Sequence, residues 1–321
     1  MTEKIVLPNI TIETAKGKYS LYELDKQVYS LLGYQIIKWC DPLPCLVKKE
    51  NVTKLIKCRK VFSDSLKAAL QYDPNSIPPK TINTSMIPLY TLFGHIKLGY
   101  EYKNDKQSNL SITWTKDQIN RYINSPNIYT SYGTQGESIF HATKKNSIVG
   151  QIGMIIGSKE PWVEAICIRN GAKKIITVDY YKELETHFES ISYKNAIELC
   201  KESESYFETM DFMVSFSSIE HSGLGRYGDP LDPFADIKEV EKIWCILKPG
   251  GILFLGFHIG IDSIVFNFHR IYGFLRLPLL FQGYNLIETY FDTNEKPFQF
   301  TKESIEYAMF NQYLFVLQKQ Y

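Results

Sequence analysis

The sequence lacks several features that would assign it to a specialised class of protein. None of its six cysteines forms a CxxC pair or has the spacing of a metal site. The formal net charge is only +1, so no overall field would hold nucleic acid or an anionic membrane. The longest apolar stretch, residues 250–268, contains Asp262 and Asn267 and is unsuited to spanning a bilayer. We therefore expect no metal, no nucleic-acid partner and no membrane partner.

The amino-terminal residues and the cysteines favour a reduced chain over a disulfide-rich one. The amino-terminal residues contain no long apolar core of the kind found in a signal peptide. Cys167 and Cys245 lie in apolar helical patterns, as buried free thiols do. Hydrophobic residues make up 44% and charged residues 22% of the chain, as in an ordinary globular protein. The expectation is a reduced, cytoplasmic protein.

The hydrophobic pattern changes near residue 126. Residues 1–125 have no period that indicates a known fold, and we predict a small α+β accessory segment there. From residue 126 to 321, apolar runs of strand length alternate with helical patterns, which predicts a Rossmann-like α/β domain with a mostly parallel, doubly wound sheet. The predicted strands are 150–156, 174–178, 212–216, 252–257, 286–291 and 313–317, and the predicted helices are 135–145, 161–170, 193–202 and 237–247.

Ligands bind such sheets beyond the carboxyl ends of the strands, so the residues that follow each strand are candidates for a site. Gly157 and Ser158 follow the first strand; glycine permits a tight turn and serine can cap the next helix. An ordinary strand-to-helix turn would explain this pair equally well. Asp179 follows the second strand, where a carboxylate can accept hydrogen bonds from both hydroxyls of a ribose. The alternative for Asp179 is an exposed carboxylate with no ligand.

A long, polar, glycine-rich loop follows the third strand. Such a loop contributes little to stability and favours a binding or catalytic role. Its adjacent Glu220 and His221 are candidate acid–base groups; the alternative for His221 is a structural histidine. More polar side chains follow the next strand. The candidates from these two strand ends are Ser217, Ser218, Glu220, His221, Arg226, Tyr227, His258, His269 and Arg270.

The string Leu247-Lys248-Pro249-Gly250-Gly251 ends a predicted helix and turns sharply into a strand. It resembles the turn before the fifth strand of class I methyltransferases, which use S-adenosylmethionine. Residues 211–221, which end in the Glu-His pair, resemble the fourth strand of the same enzymes. More narrowly, the sequence resembles a domain-of-unknown-function family first catalogued from Caenorhabditis proteins, over about residues 126–290. The segments that carry this resemblance are 157–165, 177–180, 217–230, His269-Arg270 and Tyr272-Gly273.

The resemblance implies an S-adenosylmethionine-dependent methyltransferase that acts on a small polar acceptor molecule. Gly157 and Ser158 would then face the methionine part of the cofactor and Asp179 its ribose, with Ser217 and Ser218 also on the cofactor side. A hydroxyl acceptor would need a base, and His221, beside Glu220, is our first candidate and His269 our second. The sequence departs from ordinary methyltransferases in its first loop, where Gly157 stands in place of the usual three glycines.

Arginine is scarce in this sequence, with six arginines against thirty lysines. Three of the six, Arg226, Arg270 and Arg276, lie after the fourth and fifth strands that the resemblance implies. Because the planar guanidinium suits carboxylate or phosphate, we predict an anionic or sugar-like acceptor. The predicted acceptor-binding residues are Arg226, Tyr227, Arg270 and His258. The alternative is that these arginines tie the loops to Asp229, Asp232 or Asp262.

Two other classes of function stay open at this stage. A methyltransferase-like fold that no longer catalyses could serve as a binding or scaffold protein, which the single-glycine loop favours and the Glu-His pair opposes. A nicotinamide-dependent oxidoreductase is weakened by the same loop and by the Pro-Gly-Gly turn. The sequence does not determine the acceptor or the oligomeric state.

Overall fold

The computed structural model describes residues 6–49, 53–73, 76–106, 110–128, 130–180, 182–308 and 311–320, with only the backbone at Leu55. The strands are β1 (Thr11–Thr14), β2 (Gly17–Ser20), β3 (Tyr34–Trp39), β4 (Pro44–Lys48), β5 (Lys97–Tyr100), β6 (Ser111–Trp114), β7 (Ile152–Ile156), β8 (Lys174–Asp179), β9 (Glu183–Thr186), β10 (Ile191–Asn195), β11 (Met210–Phe216), β12 (Leu247–His258), β13 (Ser263–Phe266), β14 (His269–Ile271), β15 (Tyr284–Phe291) and β16 (Gln312–Lys319). The helices are α1 (Leu21–Leu24), α2 (Lys54–Gln71), α3 (Ile87–Tyr90), α4 (Lys116–Asn124), α5 (Glu137–Lys145), α6 (Trp162–Arg169), α7 (Ala196–Lys201), α8 (Ala235–Ile246), α9 (Leu277–Leu280) and α10 (Lys302–Glu306).

Seven strands form the central sheet, in the order β10-β8-β7-β11-β12-β16-β15. The first five are parallel, while β16 runs antiparallel to both β12 and β15. From β7 the chain first builds outward through β8 and β10, and then crosses back to add β11 and β12 on the other side. The strand order therefore reverses between β7 and β11, where α/β sheets bind ligands. The predicted Rossmann-like, mostly parallel, doubly wound sheet is confirmed.

Both faces of the sheet are covered, which explains why its central strands are continuous apolar runs. Successive residues of a strand point to opposite faces, and Met154 and Ile155 of β7 accordingly belong to two different hydrophobic clusters. Residues of α7 and α8 pack in the cluster of Met154, and residues of α4, α5 and α6 in that of Ile155. The sheet thus lies between two helical layers, and its strand ends remain available for a site.

The sequence predicts a turn over residues 247–251 and a strand from residue 252, but the strand β12 begins at Leu247 and includes this whole string. The helix ends at Ile246 and the strand begins at Leu247. Gly250 has a φ of +74°, which favours glycine. A Cβ on Gly251 would lie 2.9 Å from the carbonyl oxygen of Asp211. The two glycines therefore allow the chain to pass close to the start of the neighbouring strand β11.

One predicted helix begins later than expected. Residues 191–195 pair with β8 as the edge strand β10, and the helix α7 starts only at Ala196. The Asn195 side chain caps this helix by accepting a hydrogen bond from the backbone N–H of Ile197 at 2.9 Å. The prediction of a helix from residue 193 was wrong because the edge strand carries partly exposed polar residues and lacks a clear apolar run.

The accessory segment packs directly against the sheet-bearing part of the chain. Strand β5 pairs in parallel with β13. The Tyr29 hydroxyl donates to the carbonyl oxygen of Leu275 at 3.1 Å, and the Tyr90 hydroxyl donates to that of Gly223 at 2.6 Å. Apolar side chains of the segment share one hydrophobic cluster with the sheet. The division of the chain near residue 125 stays a prediction from the sequence.

Two disulfides contradict the expectation of a fully reduced chain. Cys40 is bonded to Cys45, and Cys58 of α2 is bonded to Cys245 of α8, with Cα–Cα distances of 5.6 and 5.7 Å. The interpretation of Cys245 as a free thiol was therefore wrong, because the fold brings it to a cysteine 187 residues away. Cys167 is a buried free thiol, as predicted. Within the described ranges, no helix has the length and apolar character needed to cross a membrane.

Candidate active site

A cleft of about 810 Å³ lies at the carboxyl ends of β7, β8 and β11. Its volume is within the range of small-molecule sites. The cleft lies at the point where the strand order reverses, and its wall includes residues that the sequence predicts as site residues. Those residues are Gly157, Ser158, Asp179, Ser217, Ser218, His221, Arg226 and Tyr227.

The first loop is held in its turn by a glycine that no other residue can easily replace. Gly157 has a φ of +76°, and its N–H donates to the carbonyl oxygen of Val178 at 2.9 Å. A Cβ at this position would lie 2.0 Å from the Oγ of Ser218. The ends of β7 and β11 therefore approach each other closely here, and the single glycine is required by both backbone conformation and space.

Asp179 is fixed against the first loop by two backbone hydrogen bonds. Its Oδ2 accepts from the N–H of Ser158 at 3.0 Å, and its Oδ1 accepts from the N–H of Tyr180 at 2.6 Å. Burial raises the pKa of Asp179 to about 6, against the effect of these two hydrogen bonds. Each carboxylate oxygen has a lone pair beyond the one used by the backbone. The group is thus positioned on the cleft wall with capacity to accept hydrogen bonds from a ligand.

A second buried carboxyl group supports the first loop from behind. Glu164 on α6 is fully buried and accepts hydrogen bonds from the hydroxyls of Ser158 at 3.0 Å and Thr177 at 2.8 Å. Burial raises the pKa of Glu164 to about 7. Because the Ser158 hydroxyl is turned towards Glu164, it connects the loop to the helix and is not the helix cap that the sequence suggests.

The loop after β11 is ordered by a buried carboxylate. Asp229 accepts hydrogen bonds from the backbone N–H groups of Gly223 at 2.6 Å, Gly225 at 3.3 Å and Tyr227 at 3.3 Å. Burial raises the pKa of Asp229, and these hydrogen bonds oppose the rise. The glycine-rich loop is therefore a fixed structure that presents Arg226 and Tyr227 to the cleft.

Glu220 lies among three histidine side chains at the inner end of this loop. The Glu220 side chain is fully buried, and its Oε1 accepts a hydrogen bond from the Ser217 hydroxyl at 2.8 Å. The same oxygen lies 3.9 Å from His221 Nε2 and 3.8 Å from His258 Nδ1. Burial acts to raise the pKa of Glu220, but the neighbouring His258 and His221 together lower it. The His269 ring completes the group, with its centroid 6.4 Å from that of His221 and 5.2 Å from that of His258. The arrangement holds one carboxylate inside a set of imidazoles.

Of these histidines, His221 lies on the cleft wall. Its Nδ1 is 2.7 Å from the carbonyl oxygen of Phe268, which assigns the ring proton to Nδ1 and leaves the lone pair on Nε2. Burial lowers the pKa of His221. The charge of Glu220 acts to raise this pKa, and the charge of Arg226 lowers it further. Burial also lowers the pKa of His269 to about 4. Both rings are consequently neutral near pH 7 and able to accept a proton.

The three arginines singled out by the sequence have different surroundings. Arg226 is on the cleft wall, and its Nε donates to Asp105 at 2.7 Å. Arg270 is fully buried and donates to the carbonyl oxygen of Ser222 at 2.5 Å. Arg276 is buried in a two-pronged ion pair with Asp236, at 2.7 Å for each pair of atoms. The structure therefore does not bring Arg270 to the cleft, because its guanidinium is used inside the loop. His258 and His269 also lie off the described cleft wall.

Sequence reasoning missed an aromatic group on the same wall. Tyr132 lies with its ring centroid 5.8 Å from Trp162 and 5.4 Å from Phe216. Phe216 ends β11 and Trp162 begins α6, so their positions beside the predicted loops could have indicated them. Nothing in the local sequence around Tyr132 distinguishes it from the other 21 tyrosines.

The donor set of the cleft fits S-adenosylmethionine, the cofactor implied by the resemblance. Asp179 supplies acceptors for a ribose diol, and aromatic rings line the wall. Lys159, which also lines the cleft, offers an ammonium group suited to a carboxylate. These groups come from the ends of three neighbouring strands, as expected for a ligand site in this class of sheet.

Comparison with protein families gives a match over residues 150–320, more than half of the chain. The matching family is described as "Caenorhabditis protein of unknown function, DUF268". The protein belongs to this family. Membership in DUF268 confirms the resemblance drawn from the sequence. The matched residues include Gly157, Asp179 and the whole loop of Ser217 to Pro230, so most of the cleft wall lies within the part of the chain that the family model matches.

Solved structures with a similar fold include two methyltransferases. One is the 1,6-didemethyltoxoflavin-N1-methyltransferase of Burkholderia thailandensis, with 11% identity over 64% of this chain and 86% of that one, and a TM-score of 0.42. The other is the N-methyltransferase NodS of Bradyrhizobium japonicum, with 13% identity over 63% of this chain and 97% of that one, and a TM-score of 0.37. Both were solved with S-adenosylhomocysteine bound. The search of curated proteins finds no match for this member of DUF268.

Proposed function

We propose that this protein is an S-adenosylmethionine-dependent methyltransferase that acts on a small polar acceptor. The observation that carries the proposal is the position of Asp179. Its carboxylate lies on the cleft wall at the end of β8 and is held 3.0 Å from the first loop through Ser158 N–H. An acid at this strand end, beside the glycine turn of the first strand, is the arrangement that binds the ribose of nucleoside cofactors.

The residues assigned to the cofactor side are those of the two facing loops. Asp179 binds the ribose hydroxyls, Gly157 and Ser158 line the methionine side, and Ser217 and Ser218 complete the wall. Bound S-adenosylmethionine supplies a methyl group carried on a positively charged sulfur. Because methyl transfer is an in-line displacement, correct positioning of the acceptor contributes much of the rate. The fixed loops around Asp179 and Asp229 provide such positioning.

His221 is the proposed base for a hydroxyl acceptor. Its Nδ1–H is held by the carbonyl oxygen of Phe268, so Nε2 is the atom that accepts the proton. Glu220, 3.9 Å from that atom, stabilises the imidazolium that results. His269 is the second candidate base, at a greater distance from the cleft wall. Glu220 therefore acts through His221 and is a positioning residue.

Arg226 and Tyr227 are the proposed acceptor-binding residues. Arg226 is anchored by Asp105 through Nε and Nη2, at 2.7 Å in each case, and its guanidinium lies 4.8 Å from the centroid of the Tyr227 ring. A guanidinium held in this way presents its remaining donors in a fixed direction. The pair is suited to an anionic or sugar-like acceptor, in which Tyr227 contributes a flat surface beside the charged group.

Calorimetric titration with S-adenosylmethionine and S-adenosylhomocysteine tests the cofactor assignment. The protein should bind both compounds and gain thermal stability from them. Asp179→Asn should lose most of this affinity, whereas Asp117→Asn, an exposed carboxylate of α4, should bind as the unaltered protein does. Absence of both heat and thermal protection at millimolar cofactor would reject the proposal.

The pH dependence of turnover tests the assignment of the base. Replacement of His221 by glutamine should lower kcat by about 10²- to 10⁴-fold. In the unaltered enzyme, the acidic limb of the kcat/KM profile should lie below the ordinary histidine pKa of 6.5, because the pKa of His221 in the free enzyme is lowered. Glu220→Gln removes a charge that raises the pKa of His221, so the limb should move to still lower pH. A limb that does not move in Glu220→Gln would remove Glu220 from this role.

A further inference from the structure

The chain contains four Asn-x-Ser/Thr triplets without a central proline, and all of them lie in residues 1–125. They begin at Asn9, Asn51, Asn83 and Asn109. Eight asparagines lie in residues 1–125 and eight in residues 126–321, so asparagine content does not account for this distribution. Such triplets are the acceptor sequence for N-linked glycans. The sheet-bearing part of the chain, which contains most of the cleft, has none.

Two of the four asparagines lie in the part of the chain that the structure describes, and both are exposed. Asn9 precedes β1, and Thr11, which completes its triplet, is also exposed. Asn83 lies in the loop before α3, and its Oδ1 accepts hydrogen bonds from the N–H of Ser85 at 3.1 Å and the hydroxyl of Ser85 at 2.9 Å. A glycan is attached through Nδ2, so both hydrogen bonds at Oδ1 persist after attachment. Asn51 and Asn109 lie outside the described residues.

The disulfides give an independent indication of the same environment. Four of the six cysteines are paired, as Cys40–Cys45 and Cys58–Cys245. Disulfides form and persist in oxidising compartments and are rare where glutathione keeps thiols reduced. The bond between Cys58 and Cys245 also joins the segment with the triplets to α8, beside the sheet. Both observations concern the accessory segment, and both favour a secretory compartment.

We propose that Asn83 and Asn9 carry N-linked glycans and that the protein folds in an oxidising secretory compartment. At each site a bond forms between Nδ2 and the anomeric carbon of a lipid-diphosphate-linked oligosaccharide. The bond between that carbon and the diphosphate oxygen breaks, Nδ2 loses one proton, and the lipid diphosphate leaves. Each disulfide forms when two thiols give up two electrons and two protons to a thiol–disulfide oxidant of the same compartment. This proposal replaces the cytoplasmic location, which was expected from free thiols, and does not depend on the proposed methyltransferase activity.

The test is expression of the full chain in the secretory pathway of a eukaryotic host, with an added cleavable signal sequence before it and a tag at its carboxyl terminus. The purified protein is treated with an amidase that removes N-linked glycans and leaves aspartate in place of the modified asparagine. Peptide mass spectrometry should then find aspartate at Asn83 and Asn9 only after this treatment. An unmodified Asn83 in the untreated protein would overturn the proposal.

Matched variants identify the source of the modification. Asn83→Gln and Ser85→Ala should each remove the glycan at this site, while Ser85→Thr should retain it. Asn127→Gln, at an exposed asparagine with no serine or threonine two residues on, should leave the glycan content unchanged. Retention of the Asn83 modification in Ser85→Ala would contradict the assignment.

Alkylation without reduction provides a measurement that needs no variant. In the unfolded but unreduced protein, Cys167 and Cys200 should be labelled, and the four paired cysteines should be labelled only after reduction. Labelling of Cys58 and Cys245 without reduction would overturn the proposed compartment.

Discussion

The close approach of Gly157 to Ser218 allows one substitution to be worked out in some detail. In Gly157→Ala the residue keeps a φ of +76°, which costs an L-residue about 1–2 kcal/mol. The new Cβ would also lie 2.0 Å from Ser218 Oγ and 2.6 Å from Ser218 Cβ, so the loop after β11 has to move. Overpacking of this kind costs about 1–3 kcal/mol. The free energy of unfolding should therefore fall by about 2–5 kcal/mol in total.

Gly150 offers a matched control for this substitution. Its φ is +74°, but a Cβ there would meet no atom within 4 Å. Gly150→Ala should thus lose only the conformational part, about 1–2 kcal/mol. Both variants gain equally from a less flexible unfolded chain, so that contribution cancels in the comparison. The difference between the two variants measures the overlap with Ser218.

Urea denaturation monitored by circular dichroism, with the disulfides intact, provides the free energies. Addition of Ser218→Gly to Gly157→Ala should recover the cost of overlap, which would appear as a coupling energy of about 1–3 kcal/mol in a double-mutant cycle. The affinity for S-adenosylhomocysteine should fall in Gly157→Ala and not in Gly150→Ala. Equal stabilities of the two single variants would refute the reasoning, because the overlap would then have no energetic effect.

Three further predictions follow from the structure. Glu164→Gln should stabilise the protein by about 3 kcal/mol near pH 8 and little near pH 4. The pKa of Glu164 in the folded protein is about 7, above its ordinary value of 4.5, so the stability of the unaltered protein falls as the pH rises from 4.5 to 7. Thermal unfolding measured across this pH range tests the prediction. Arg226→Ala should raise the KM for an anionic acceptor about tenfold to a hundredfold, and Asp105→Ala should raise it less, as steady-state kinetics would measure. Joint replacement of Cys58 and Cys245 by alanine removes a link across 187 residues and should lower the free energy of unfolding, measured in urea, by about 5 kcal/mol. Joint replacement of Cys40 and Cys45, whose disulfide spans 5 residues, should lower it by about 2 kcal/mol.

The features that the sequence predicts best depend on local patterns. Asp179 follows an apolar strand directly, and the ends of neighbouring parallel strands must meet at one edge of the sheet. The need for glycine at residues 250 and 251 was recognisable from the Pro-Gly-Gly string, although both residues lie inside β12 and not in a turn before it. In both cases, the information lies within a few residues of the feature itself. The position of these residues at the sheet edge therefore followed once the alternating pattern was identified.

The features that the sequence does not predict depend on contacts across long separations. The pairing of Cys58 with Cys245 requires the packing of α2 on α8, which no local pattern indicates. Arg270 was assigned to the acceptor because arginine is rare in this chain, but rarity does not distinguish a guanidinium used inside a loop from one on a cleft wall. The alternative that arginines tie the loops together is what the structure shows for Arg270 and Arg276, with Asp236 as the main acidic partner.

The accessory segment also contributes directly to the proposed acceptor side. Asp105 accepts from Arg226 at 2.7 Å, and its own N–H donates to the carbonyl oxygen of Arg226 at 2.9 Å. Nearby, Lys103 N–H donates to Asn267 Oδ1 at 2.8 Å, which ties the same stretch to the segment after β13. The direction of the Arg226 guanidinium is thus set by residues outside the sheet-bearing part of the chain. Strand β5, which precedes residues 103–105, is itself paired with β13. A change in the accessory segment should therefore alter acceptor binding through Arg226 and leave the Asp179 side of the cleft intact.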